Sequence, residues 1–245
     1  MDPTTPPILW ILLIVFLAAL VRSVFGFGDA LVGMPLLALA VPMTLATPLM
    51  SLVGPAIGLL LIVREGRRIS LRGTGGLIAG TLAGIPAGLF VLKRADNRTV
   101  CLILAGLIIP FALYSLFRPG IARLKTDRSA PVFGIAAGIL GAAVNTNGPP
   151  VAFYGALRGW EPETFRASLQ AYFLPTGAAI IAAQGAAGLW SADVWRIFLF
   201  SIPLIFLASW AGGRLAKRIP AASFVRWIYG ILAAAGLVLL IRNLI

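Results

Sequence analysis

The sequence contains few of the residues on which soluble enzymes commonly depend. Its 245 residues include no histidine, one cysteine and only 8 acidic residues. A disulfide within the chain is therefore impossible, and histidine-based catalysis and cysteine/histidine metal sites are excluded. Cys101 lies in an apolar run, where we expect a small buried hydrophobic residue. We expect no metal and no other cofactor.

Charge is scarce and hydrophobic sequence is abundant. Charged residues make up 11% of the chain and hydrophobic residues 60%, whereas about a quarter of a soluble domain is charged. Several apolar blocks approach the roughly 18–20 residues that cross a bilayer. They lack the ~10-residue alternation of a transmembrane barrel. The sequence therefore predicts an all-α polytopic membrane protein with a single transmembrane domain over residues 1–245.

The charge that is present is strongly basic. Twenty lysines and arginines give a net charge of +12, and they cluster in the short joints between apolar blocks. Such clusters are typical topology signals that face anionic cytoplasmic lipid. No basic patch with interleaved aromatic residues is present, so membrane lipid is the expected partner and nucleic acid is not.

The two halves of the chain are weakly similar to each other. At an offset of 124 residues, Ala87-Gly88 aligns with Ala211-Gly212 and Lys93-Arg94 aligns with Lys217-Arg218. At an offset of 119 residues, Gly28 meets Asn147 and Asp29 meets Gly148. Such similarity predicts an internal repeat, although the identities are few and chance agreement remains an open alternative.

The charges of the joints predict that one repeat is inverted against the other. The joint at 64–72 is strongly basic, while its counterpart at 190–196 is nearly neutral, so the two are expected on opposite faces. The joint at 93–98 is the one that does not follow this scheme. We predict two inverted repeats of about three to five helices each. Repeat 1 spans about 8–117, a basic cytoplasmic joint 118–128, and repeat 2 about 130–245.

Each half contains a broken segment inside its apolar sequence. These are FGFGDALVGMP at 25–35 and NTNGPP at 145–150. Unpaired backbone groups are costly in lipid and survive only around a protein-lined cavity. Paired broken or re-entrant helices are the best sequence indication of a transporter site. Their helix N-termini favour an anion.

The polar residues in and after these breaks are the candidate substrate ligands. Asparagine and threonine offer hydrogen-bond donors, and glycine lets the backbone approach a substrate closely. Two alternatives stay open, because the asparagines could serve only as helix caps and the glycines only in helix packing. The candidates are Gly26, Gly28, Asn145, Thr146, Asn147, Gly148, Gln170 and Tyr172.

Asp29 is the acid that lies away from the joints and termini. Carboxylates inside a membrane are costly and usually functional. Asp29 could carry a coupling proton, bind a cation, or pair with Arg22 or Arg166; a helix-cap role is the alternative. Since a bare acid repels an anionic substrate, proton coupling or an ion pair is favoured.

The two broken segments also carry a family resemblance. FGFGDALVGMPLLAL and NTNGPPVAFYGALRGW resemble the sulfite exporter TauE/SafE family, and the resemblance covers essentially the whole chain. It implies a multi-pass carrier of the bacterial inner (plasma) membrane for sulfite, sulfoacetate or other organosulfur anions. The sequence departs from the commoner pattern, because Asp29 stands where many members have glycine and NTNG replaces a second glycine cluster.

Together these observations predict a secondary transporter that moves a small anion, sulfite or an organosulfonate, by alternating access with H+ as a coupling partner. No GxxxxGK[ST] motif is present, so direct ATP drive is not expected. An anion channel or a structural membrane subunit remains open, as does a homodimer. An intramembrane enzyme is disfavoured, because Asp29 has no carboxylate partner within the apolar blocks.

Overall fold

The computed structural model describes residues 8–25, 28–65, 74–117, 123–124, 126–216 and 221–244. Throughout this part of the chain the regular structure is α-helical, which confirms the predicted all-α class. The helices are α1 Ile8–Phe25, α2 Asp29–Ala38, α3 Met43–Glu65, α4 Gly75–Arg94, α5 Asn97–Phe117, α6 Ala130–Val144, α7 Gly148–Leu157, α8 Pro162–Ala186, α9 Ala192–Leu215 and α10 Ala221–Leu244.

Several helices can cross a bilayer by length and composition. In the described residues four reach that standard, namely Met43–Leu60, Gly75–Arg94, Asn97–Leu116 and Ala192–Leu215. Shorter apolar helices cover Ile8–Val24, Asp29–Ala38, Ala130–Val144 and Leu232–Leu244. The prediction of a polytopic membrane protein agrees with this set.

The described helices follow the same order of lengths in both halves. α2 and α7 have 10 residues each, and each follows a break and precedes three longer helices. The packing is also similar in the two halves. By position in the chain, α1 corresponds to α6 and α4 corresponds to α9. Helix α4 packs along α6, and α1 packs along α9. Both short helices are buried in protein: Met34 and Leu37 of α2 and Val151 and Tyr154 of α7 are fully buried.

Helices α4 and α6 touch backbone to backbone. A Cβ added at Gly80 would lie 2.1 Å from the Pro131 carbonyl oxygen, and one added at Gly138 would lie 2.2 Å from the Thr81 carbonyl oxygen. Small residues allow this approach between membrane helices, where close packing replaces the hydrophobic effect as a driving force. For these glycines, helix packing is therefore the role that the geometry gives.

Hydrogen bonds mark the two ends of the molecule. At one end the N–H of Leu124, which precedes α6, donates to the carbonyl of Leu157 at the end of α7 (2.8 Å). At the other end the Met43 N–H donates to Asn97 Oδ1 (2.8 Å), and Lys93 Nζ donates to the Ala187 carbonyl (2.9 Å). Helix α8 connects these ends, because its 25 residues span about 37 Å at 1.5 Å per residue.

Candidate functional site

One cavity lies between the two breaks. Its volume is about 90 Å³, which holds several water molecules or a solute of a few heavy atoms. Five helices, α1, α2, α3, α7 and α8, and the turn before α7 contribute to its wall. The polar lining residues and the glycines at the breaks are Arg22, Gly28, Asp29, Ser51, Asn145, Thr146, Asn147, Gly148 and Gln170.

The first break is a sharp reversal between α1 and α2. Gly28 adopts a left-handed conformation with φ of 99°, which glycine reaches without the steric cost of a Cβ atom. Asp29 then begins α2, so its carboxylate lies at the positive end of the helix dipole. Gly26, the other glycine predicted for this break, lies outside the described residues.

The second break ends α6 before α7 begins. Asn145 has a φ of 51°, and asparagine tolerates this left-handed region better than most residues. Its N–H donates to the Gly141 carbonyl (3.0 Å), and the Thr146 N–H donates to the Leu140 carbonyl (3.2 Å). Asn145 thus serves as a helix C-cap that also lines the cavity, and Thr146 Oγ1 donates to the Val144 carbonyl (2.8 Å).

Asn147 stands at the N-cap of α7 without acting as a side-chain cap. Its side chain accepts no hydrogen bond from the first turn of the helix, so the capping alternative does not account for it. Pro149 and Pro150 have no N–H. The N-terminus of α7 therefore offers fewer backbone donors than an ordinary helix, and the Gly148 N–H and the Asn147 amide become the main ones.

A buried ion pair forms one wall of the cavity. Arg22 Nη1 donates to Asp29 Oδ2 at 2.9 Å, and the two residues are 8% and 6% exposed. Asp29 therefore pairs with Arg22, one of the two partners that the sequence left open. The other, Arg166, lies on α8, and its side chain is outside the described residues. Arg22 also sits over the Phe173 ring, with Cζ 5.9 Å from the ring centroid, within the range of a cation–π contact.

Two glycines of α3, Gly54 and Gly58, leave room for this pair. A Cβ added at Gly54 would lie 3.0 Å from Asp29 Oδ2 and 3.4 Å from Arg22 Nη1. One turn on, a Cβ at Gly58 would lie 3.1 Å from Arg22 Nη2. The α3 backbone thus closes directly over both charges, a feature that the sequence interpretation missed.

Ser51 is a further polar residue of the wall that sequence reasoning undervalued. Its Oγ donates to the Pro48 carbonyl of its own helix (2.8 Å). It also lies 2.5 Å from Gln184 Oε1 on α8. The offset of 119 that aligns the two breaks also aligns Ser51 with Gln170, and both line the cavity; this was the signal that could have identified Ser51.

Tyr172 lies behind the cavity and not on its surface. The sequence interpretation put it on the wall beside Gln170, but it is fully buried and absent from the lining. Its hydroxyl is 2.7 Å from Thr81 Oγ1 on α4. Tyr172 therefore links α8 to α4 behind the cavity, because successive residues of a helix point in different directions.

The chain matches a known protein family. The family model described as "Sulfite exporter TauE/SafE" matches residues 11–239, nearly the whole chain. No curated protein and no solved structure matched the chain.

Proposed function

This chain belongs to the sulfite exporter TauE/SafE family of membrane transporters, and we propose that it is a secondary carrier moving a small anion across the bacterial inner membrane. The proposed substrates are sulfite and organosulfonates. The observation that carries the proposal is the cavity lined by the breaks of both halves. Helices broken in this way surround substrate sites in many secondary transporters.

The cavity offers chemistry suited to an oxyanion. Arg22 contributes a guanidinium, whose planar fork matches pairs of oxyanion oxygens. Asn147 and Gly148 contribute an amide and a backbone N–H, and the N-termini of α2 and α7 add partial positive charge. The volume of about 90 Å³ favours a compact anion over a drug-sized one.

We propose that α2 and α7 belong to two inverted repeats. α2 leads from the cavity toward the end marked by the contact between Met43 and Asn97, whereas α7 leads toward the end marked by the contact between Leu124 and Leu157. Opposite directions from a shared cavity support re-entrant hairpins that enter from opposite faces. Rocking of one half against the other then exposes the cavity to each face in turn, which is alternating access.

The test is counterflow in proteoliposomes. The purified protein is reconstituted and preloaded with unlabelled sulfite, sulfoacetate, taurine or a neutral solute, and uptake of labelled anion is followed with and without a pH gradient. We expect saturable counterflow for the anions and a change in rate with the gradient. Flux that does not saturate would replace the carrier by a channel, and the absence of flux for every anion would refute the substrate assignment. Protein-free liposomes are the control.

A further inference from the structure

We propose that Asp29 is an internal competitor of the substrate: its carboxylate occupies the oxyanion position on Arg22 in the empty carrier, and the substrate takes that position once Asp29 is protonated. This inference rests on the proposed carrier function and adds the step that links proton and anion.

The contact between the two residues is suited to exchange. One hydrogen bond joins them, from Arg22 Nη1 to Asp29 Oδ2 at 2.9 Å. Arg22 Nε is buried and, among the described residues, has no hydrogen-bond partner. A guanidinium can hold two oxygens of an oxyanion side by side. The pair therefore uses only part of the binding capacity of Arg22, and a sulfonate or sulfite can use more.

Among the side chains that the structure describes around the cavity, no second charge shares this task. Among the described residues that line the cavity, Arg22 and Asp29 are the charged ones. The other surfaces around Asp29 are neutral: α3 contributes Ser51 and Gly54, the start of α7 contributes Gly148, and α8 contributes its neutral lining residues. Two anions cannot share one buried cation without strong mutual repulsion. Binding of the substrate therefore requires neutral Asp29.

Proton and anion uptake balance in this step. The ionised carboxylate accepts one proton, its hydrogen bond to Arg22 Nη1 breaks, and Arg22 donates instead to the incoming oxyanion. The site holds one positive and one negative charge before and after the exchange. A carrier that binds the two together moves one proton with each singly charged anion.

The linkage fixes the sign of the pH dependence. Since only the form with protonated Asp29 binds the anion, the apparent dissociation constant of the anion rises with pH. The rise approaches about tenfold per pH unit for one coupled proton. Isethionate is the suitable probe, since its sulfonate stays ionised over the whole pH range and any change belongs to the protein.

The experiment measures the isethionate concentration that half-saturates counterflow at a series of pH values, in the wild type and in Asp29→Asn. We expect the wild type to lose affinity as pH rises, and Asp29→Asn to bind at all pH values about as tightly as the acidified wild type. Asp193→Asn, which removes an exposed acid from α9, should keep the wild-type profile. Arg22→Gln should weaken binding at every pH by roughly 10- to 100-fold.

A second pair of variants covers the case in which Asp29→Asn does not fold. Gly54→Ala crowds the ion pair, whereas Gly177→Ala meets only the Pro55 side chain at 3.6 Å on the same cavity wall. We expect Gly54→Ala to change the pH dependence of half-saturation, because its Cβ would lie against both members of the ion pair, and Gly177→Ala to leave that dependence unchanged.

The outcomes separate the two proposals. A wild type without counterflow of any anion refutes the carrier. A working wild type whose pH profile is unchanged in Asp29→Asn refutes the competition and leaves the carrier intact. If Asp29→Asn cannot be isolated, the same pH dependence of half-saturation in Gly54→Ala and Gly177→Ala refutes it in the same way.

Discussion

The backbone N–H of Leu124 donates to the carbonyl of Leu157 at 2.8 Å. Leu124 lies ahead of α6 and Leu157 ends α7, so the chain that enters the cavity through α6 returns to its starting end through α7. Arg158 strengthens this junction, because Nη1 donates to the Leu124 carbonyl at 2.8 Å and Nε lies 2.9 Å from Asp127 Oδ1. The second broken segment thus has a fixed base outside the cavity.

Cysteine labelling tests this path through the membrane. In a Cys101→Ala background, Thr126→Cys and Glu161→Cys should react with an impermeant reagent from the cytoplasmic face, and Ala192→Cys from the opposite face. All three positions are exposed. The expectation follows from the length of α8, which separates residues 161 and 192 by the thickness of a bilayer. Labelling of Thr126→Cys and Glu161→Cys from opposite faces would contradict the hairpin, and labelling of Glu161→Cys and Ala192→Cys from the same face would contradict the crossing by α8.

Asn147→Ala should impair substrate binding more than folding. Its side chain makes no cap hydrogen bond to α7, and a hydrogen bond to a charged substrate contributes about 1.5–3 kcal/mol. We expect the KM of counterflow to rise by roughly 10-fold or more, with little change in melting temperature.

Asn97→Ala is the matched control for that substitution. Asn97 Oδ1 accepts the Met43 N–H far from the cavity, so its loss should lower the melting temperature and leave KM unchanged. Equal effects of the two substitutions on KM and on melting would reduce Asn147 to a structural residue.

Gly138→Ala should destabilise the contact between α4 and α6. The new Cβ would lie 2.2 Å from the Thr81 carbonyl oxygen, and because backbone cannot rotate away, the helices must separate. Overpacking of this kind costs about 1–3 kcal/mol. Thermal unfolding in detergent measures it, and Gly106→Ala on α5, where nothing lies within 4 Å, is the control. Equal melting temperatures would refute the tight seam.

Tyr154→Phe should loosen the base of α7 without changing the substrate site. The hydroxyl donates to Asp127 Oδ1 at 2.6 Å from a ring that is fully buried. Its removal should cost about 1 kcal/mol of stability, visible as a lower melting temperature, with an unchanged KM. A large rise in KM at normal stability would instead place Tyr154 in the transport machinery.

Sequence reasoning identified the two breaks that line the cavity, because each break needs residues that apolar helices avoid. Gly28 and Asn145 mark left-handed turns, and the prolines after Asn147 mark a new helix start. The class of the protein followed from composition in the same way. The number of helices could not be predicted from the sequence, because a re-entrant pair and two full spans both return the chain to the same face of the membrane.

The residues that form the cavity wall between these breaks could not be predicted from the sequence alone, because tertiary contacts bring them together. The pairing of Arg22 with Asp29 was one of several partners that the sequence allowed, and only the fold selects it. Gly54 was not named from the sequence, because only its contact with the ion pair distinguishes it from other glycines of the apolar helices. Tyr172 was assigned to the wrong surface, because a rotation of α8 by one residue decides whether a side chain faces the cavity or Thr81.

The most direct test of the central claim asks whether this cavity holds the transported anion. Gly177 lines it and tolerates a Cβ, so Gly177→Cys in the Cys101→Ala background places one thiol in its wall. A small methanethiosulfonate reagent then reports access in proteoliposomes. Sulfoacetate, which does not attack the reagent as sulfite does, should slow the modification saturably, with half-protection near the KM of its own counterflow. Modification that is unaffected by sulfoacetate at concentrations that saturate counterflow would contradict the account, because the anion would then cross the protein elsewhere.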